Sequence, residues 1–315
     1  MPQTDTVAAP EPRAGSGAGA AQSPTRAGPL KSAGTALARY AGVLPFAVYV
    51  TLGLLIPVIA IIVGAFQAPG TGALTSANLD TATHGVYLQG FENSLLLSVL
   101  ASVIPGILGL LIAYAIFTAK RGRVLRQVVI TASGVFANFG GVPLAFLFIA
   151  SFGSTALVTG WLGDIGLHIW DWGFTLYNLA GVVLVYLYFQ VPLMVLVILP
   201  ALEGLRPAWR EAAENLGARG WQYWRHVGGP VLFPSFLGCV LLLFGSAMSA
   251  YATAEALTSG TIPLTSIQIG SFLNGNVIAG QENAGKALAL GMIVIIAVVM
   301  TAYALLQRRA AKWLR

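Results

Sequence analysis

EAAENLGARGWQYWRHVGGPVLFPSF, residues 211–236, is a polar stretch between two long apolar blocks, and its reading decides the fold. Pro207 stands just upstream, where a missing N–H costs a helix little, and Gly217 stands where a helix ends. Between them Trp209, Ala212, Ala213 and Leu216 recur at i, i+3, i+4 and i+7, one face of a helix. The spacing predicts a short amphipathic helix over 207–217, with an apolar stripe flanked by Glu211 and Glu214. The methyl side chains of Ala212 and Ala213 let another surface approach closely, and a carboxylate beside them suits a basic residue on that surface. Ala and Glu are strong helix formers, so Glu-Ala-Ala alone fits an ordinary helix resting on a bilayer. Gly217, Val227 and Pro230, leading into the next apolar block, favour a docking element.

The flanking blocks set the class. Of 315 residues, 57% are apolar and 9% charged, with mean hydropathy +0.78, whereas soluble domains carry roughly 25% charged residues. A helical span needs about 20 mostly apolar residues. Six are expected, near 42–66, 93–118, 127–152, 178–202, 231–252 and 284–306. The fold class is an all-α integral membrane protein with six transmembrane helices.

The basic residues orient it. Arg13, Arg26, Lys31 and Arg39 precede the first span. Lys120, Arg121, Arg123 and Arg126 separate spans two and three, and Arg206, Arg210, Arg219 and Arg225 separate spans four and five. Arg308, Arg309, Lys312 and Arg315 follow the sixth, leaving Lys286 alone on the other side. Positive residues stay in the cytoplasm, so both termini and the 203–230 loop are expected there, with the membrane crossed several times. Residues 1–38, rich in Ala, Gly, Pro, Ser and Thr, are expected to be a disordered cytoplasmic tail. The first apolar block lacks the short core and cleavage site of a signal peptide. Residues 39–315 then form the permeation domain.

Several functions are set aside. The net charge of +6 is dispersed over short segments, without the interleaving of a nucleic-acid surface. Cys239 is single, so no intramolecular disulfide forms, and no metal-ligand spacing occurs. Gly280-Gln281-Glu282-Asn283-Ala284-Gly285-Lys286 fits the opening of a phosphate-binding loop. Ala287 stands where Ser or Thr would hold magnesium, no strand leads in, and the charge count puts the segment outside. Lys286 is better read as snorkelling at the outer end of span six. No Ser-His-Asp or H-E-x-x-H arrangement is present, so no catalytic residue is assigned. His168 is incidental, and the tryptophans 161, 170 and 172 mark a helix at the outer surface.

The 211–236 stretch resembles the cytoplasmic loop of the membrane subunits of type I, binding-protein-dependent ABC importers: Glu-Ala-Ala, three residues, Gly, nine residues, an aliphatic residue, one residue, Leu-Pro. Gly229 stands where the family has Leu. Phe91–Ile116, with Asn93-Ser94 opening it and Ala113-Tyr114 near its end, looks like the family's second core span. The tail from Ala247 to Arg315 looks most like the spermidine/putrescine, iron(III), thiamine and phosphonate permeases. The resemblance implies that 207–217 is a coupling helix seated in a groove of a separate ATPase. Glu211 would be the polar anchor, Ala212 and Ala213 the contact face with Trp209 and Leu216 beside them, and Gly217 the turn. It implies two ATPase subunits that bind the ATP and magnesium, no cofactor in this chain, a second homologous permease and an external solute-binding protein.

Polar groups inside a membrane are costly and mark pathways. Candidates are Asn138 in span three, Tyr186, Tyr188 and Gln190 in span four, and Ser246, Ser249, Tyr251 and Glu255 at the outer half of span five. Tyr and Gln serve equally as helix–helix glue. Pro143 and Pro192 are candidate helix breaks that expose backbone to a cavity. Glu255 suits a cation such as a polyamine. An ion-coupled secondary transporter, which needs intramembrane acids and inverted repeats, or a non-transporting scaffold are the alternatives.

Overall fold

The computed structural model describes residues 43–119, 122–167, 170, 171, 173, 175–275, 281 and 283–313. The expected 1–38 tail, Arg39, Lys120, Arg121, His168, Trp172, Gly280, Glu282 and Arg315 lie outside the described residues. Internal contacts divide the chain into two units, up to Pro57 and from Val58 onward. The first carries α1 (Leu44–Val50) and a π-helical turn, Thr51–Leu55, with Leu44, Phe46, Tyr49 and Leu52 exposed.

Helix α2 (Ile56–Ala65) follows, then α3 (Ala77–Ala82), α4 (Gly85–Thr118), α5 (Gly122–Asn138), α6 (Val142–Phe152) and α7 (Leu157–Asp164). After α8 (Leu179–Glu203) come α9 (Pro207–Asn215), α10 (Gly220–Tyr223), a second π-turn (Trp224–Gly228) and α11 (Gly229–Ser249). The short α12 (Ala252–Thr258) and α13 (Thr265–Leu273) lead to α14 (Ala284–Trp313). Among the described residues the only β feature is an isolated Gln67–Leu74 bridge. Among the described residues six stretches are long and apolar enough to cross a membrane: Leu44–Ala65, Gly85–Thr118, Val142–Asp164, Leu179–Glu203, Gly220–Ser249 and Ala284–Arg308.

The core is the meeting of α4, α8 and α11. On α4 the buried face is a row of small residues, among them Ser94, Ser98, Ala101, Ser102, Gly106 and Gly109. Such rows let backbones approach where lipid offers no hydrophobic drive between helices. A Cβ on Gly109 would lie 2.5 Å from the Met194 Cβ on α8, and one on Gly106 would lie 2.9 Å from Val240 on α11. Met194, Ile198, Leu202 and Leu243 are fully buried behind this row.

Four boundaries depart from the expected spans. The second span begins at Gly85 and not at residue 93. The segment expected as one span over 127–152 is split between α5 and α6. The break at Phe139–Gly141 has Gly141 at φ +74°, open to glycine, and its N–H donates to Thr253 Oγ1 on α12 at 2.8 Å. Pro143 opens α6, as a breaking proline should. Pro192 does not break anything: α8 runs through it unbroken from Leu179 to Glu203.

The fifth crossing begins at Gly220, earlier than residue 231, and carries the π-turn Trp224–Gly228 directly before Pro230. Pro230 has no N–H and its ring would crowd the carbonyl four residues back; widening the preceding turn, with the Gly229 N–H donating to Trp224 O, relieves this. The turn Thr51–Leu55 stands in the same relation to Pro57. Finally, α11 ends at Ser249, so Tyr251 and Glu255 lie beyond the span, on the separate α12 segment.

Candidate functional site

The loop between α8 and α11 folds as its residues dictate. Pro207 is the first residue of α9. At the other end Gly217 sits at φ +78°, its N–H donating to Glu214 O and that of Ala218 to Ala213 O, both at 2.9 Å. These two bonds are the Schellman closure. No residue of α9 is buried. Leu216 is 88% exposed and Trp209 37%, so the stripe of Trp209, Ala212, Ala213 and Leu216 has little cover from its own chain. Arg210 Nε donates to Glu214 Oε1 at 2.9 Å, and that carboxylate holds the guanidinium protonated even more firmly than usual. Glu211, by contrast, makes no hydrogen bond or ion pair among the described residues. A cleft of about 320 Å³ opens beside Ala213, Leu216, Gly217, Gln222, His226 and Val227. His226 Nδ1 lies 3.0 Å from Gln222 O, an intrahelical contact.

This loop is fixed to the helices behind it. Leu205 is 6% exposed and Tyr223 6%. Trp224 meets Tyr114 of α4 edge-on at 5.3 Å between ring centres and Tyr223 at 5.7 Å. Arg126 of α5 pairs with Glu203 at the end of α8. Gly229 has a local reason: in the π-turn a Cβ there would lie 2.5 Å from Trp224 O, so the Leu of the family pattern does not fit this turn.

At the opposite end the pathway candidates separate. Tyr186 is fully buried and its hydroxyl donates to Ala250 O at 3.1 Å. Gln190 is fully buried, donating from Nε2 to Leu243 O at 2.9 Å, with Oε1 unpartnered. Tyr188 lies among Phe136, Phe139 and Phe148. These three hold helices together. Asn138 is exposed at the α5–α6 break, its amide turned back to Gly134 O. Glu255 is half-buried, with Oε2 covered and unpartnered.

Ser249 and Tyr251 line an open cleft, about 380 Å³, together with Ser266, Gly270, Leu273, Asn274 and Met292. Ser246, Glu255 and the α8 residues are not part of its lining. Distant bonds tie α13 and the residues before it to α4: Thr265 N–H to Ser94 Oγ at 2.8 Å, Asn93 Nδ2 to Pro263 O at 3.1 Å and Gln268 Nε2 to Val86 O at 2.7 Å. Sequence reasoning missed Ser266 and Asn274 because α13 is a nine-residue helix in what reads as a loop, and Met292 because an apolar residue inside α14 carries no polar signal. The sole sequence signal of α13 was the Ser266, Gly270, Asn274 spacing of four. The stem of Lys286 lies along Gly64 of α2.

Thiamine transport system permease protein ThiP of Salmonella typhimurium is 27% identical over 154 residues, covering 49% of this chain and 28% of that protein. The probable sulfate transport system permease protein cysT of Marchantia polymorpha is 28% identical over 199 residues, covering 62% of this chain and 65% of its own length. The chain thus spans less than two thirds of either relative. A thiamine permease belongs to the group the C-terminal resemblance named; a sulfate permease does not. A bacterial ABC transporter involved in the import of the acidic polysaccharide alginate shares the fold, with a TM-score of 0.70 at 19% identity over 89% of this chain and 98% of its own. The family described as binding-protein-dependent transport system inner membrane component matches residues 105–314. From the buried Pro105 of α4 to beyond the end of α14, then, this chain is a multi-pass inner-membrane protein that belongs to the binding-protein-dependent transport system inner membrane components.

Proposed function

We propose that this chain is the permease subunit of an ATP-driven importer, forming part of the solute path and receiving work from separate ATPase subunits through 207–217. The observation that carries the reading is α9 itself: a capped helix at a span junction whose apolar stripe has little cover, and whose Glu211 has no hydrogen-bond or ion-pair partner, among the described residues. Two ATPase subunits would hold ATP and magnesium, a second, homologous permease would complete the path, and an external binding protein would deliver the solute. Glu211 would pair with a basic residue of the ATPase groove, and Ala212, Ala213 and Leu216 would contact its floor. The chain performs no covalent chemistry. The relatives' names span a cation, an inorganic anion and an acidic polysaccharide, so the solute is put no more finely than a polar one. The cleft of Ser249, Tyr251, Ser266 and Asn274, neutral hydrogen-bonding groups, is the proposed contact with it. A polyamine would require Glu255, which that cleft does not include.

Co-purification in mild detergent tests this, with wild type compared against Glu211→Ala plus Gly217→Pro. An ATPase and a second permease retained by wild type, with the ATPase lost from the variant, uphold the proposal. Wild type that purifies folded and alone returns the question to a secondary transporter or scaffold.

A further inference from the structure

Beneath α9 lies a second cleft, about 250 Å³, that the coupling role leaves unused. Three membrane helices reach it at their ends: α4 through Tyr114 and Phe117, α8 through Leu205 just past Glu203, and the Gly220–Ser249 crossing through Tyr223 and Trp224. Three candidate spans end at this cleft, where a spanning helix would meet lipid headgroups. Its wall is apolar and aromatic, with Leu205 and Tyr223 buried, Trp224 edge-on to Tyr114, and Phe117 left 40% exposed. Its rim is cationic. Arg206 is exposed and makes no side-chain hydrogen bond or ion pair among the described residues. Arg210 engages Glu214 through Nε alone, leaving both terminal nitrogens without a partner there.

We propose that this cleft binds one anionic phospholipid, its phosphate held between Arg206 and Arg210 and an acyl chain lying along Phe117 and Leu205. Planar guanidinium groups suit phosphate oxygens, and Tyr and Trp are the side chains that sit well between headgroup and chain. A soluble anion would use the rim and leave the exposed Phe117 wall unused; a lipid uses both. The lipid would contact α9 through Pro207 and Arg210, whereas the 320 Å³ cleft is lined by Ala213 and Leu216; the two clefts share Tyr223. The proposal is independent of what covers the exposed stripe of α9.

Trp224, in the wall, reports on it directly. The purified full chain in a zwitterionic detergent is titrated with phosphatidylglycerol brominated on its acyl chains, and in parallel with the same phosphatidylcholine. The expected result is a saturable quenching phase with phosphatidylglycerol only, absent in Trp224→Phe. Arg206→Gln with Arg210→Gln should raise its half-point about thirtyfold, the effect of losing two basic contacts with an anionic lipid. Arg219→Gln, an exposed arginine outside the cleft, should leave it in place. Equal quenching by both lipids, or an equal shift in Arg219→Gln, overturns the proposal. So does loss of the phase on adding millimolar inorganic phosphate, which would identify a free-anion site. Gel filtration confirms that each variant is folded, and ATPase retention by the Arg206/Arg210 variant distinguishes loss of lipid from loss of coupling.

Discussion

Leu216→Ser separates docking from folding. Leu216 is 88% exposed, so in the isolated chain its replacement removes almost no buried surface, and the change in stability should stay within about 0.5 kcal/mol. If the stripe is covered by an ATPase groove, the same side chain goes from water to an apolar surface. Burying a Leu side chain contributes about 1.5–3 kcal/mol; a middle value of about 2 kcal/mol is a roughly thirtyfold change in affinity. The assay is binding of the separately purified ATPase to the permease in nanodiscs, by biolayer interferometry, with thermal unfolding of the permease alone beside it. Leu273→Ser is the control for ATPase binding, since Leu273 is 83% exposed but lies on α13, in the lining of the opposite cleft. The expected pattern is weak ATPase binding with an unchanged melting temperature for Leu216→Ser, and neither change for Leu273→Ser. A binding loss under about threefold, or a melting temperature that falls with binding intact, refutes the docking role and leaves Leu216 a lipid-facing residue.

Gly217→Ala meets no atom within 4 Å of its new methyl, so its cost is that of a left-handed L-residue, about 1–2 kcal/mol; amide exchange at Gly217 and Ala218 should quicken while global melting barely moves. Gly109→Ala and Gly134→Ala should act with opposite sign. The first forces a methyl 2.5 Å from the Met194 Cβ and should cost about 1–3 kcal/mol; the second meets nothing within 4 Å on α5 and should add about 0.5–1 kcal/mol, both read as melting shifts in detergent. Arg126→Gln breaks the ion pair with Glu203, whose side chains are 45% and 39% exposed. Its cost should stay below about 1 kcal/mol and shrink in high salt.

What the sequence determined by itself was what local chemistry decides. The apolar lengths set six crossings, since a helix of about 20 such residues needs no partner to satisfy its backbone in lipid. The ends of α9 were legible for the same reason: a proline tolerated at a helix start, a glycine able to take φ +78° at its end, and a period-3.6 stripe between them. Contacts between distant segments decided the rest. Tyr186, Gln190, Ser249 and Tyr251 are alike as polar residues in or next to an apolar run. Only the packing of α8 on α11 turns the first two into buried glue, and only the fold-back of α13 gives the other two a cleft to line. The break at Gly141, inside what reads as one span over 127–152, is likewise met by Thr253, 112 residues away. A local signal states which conformation a segment can adopt, whereas burial and pairing belong to two segments together, so the tertiary structure alone assigned them.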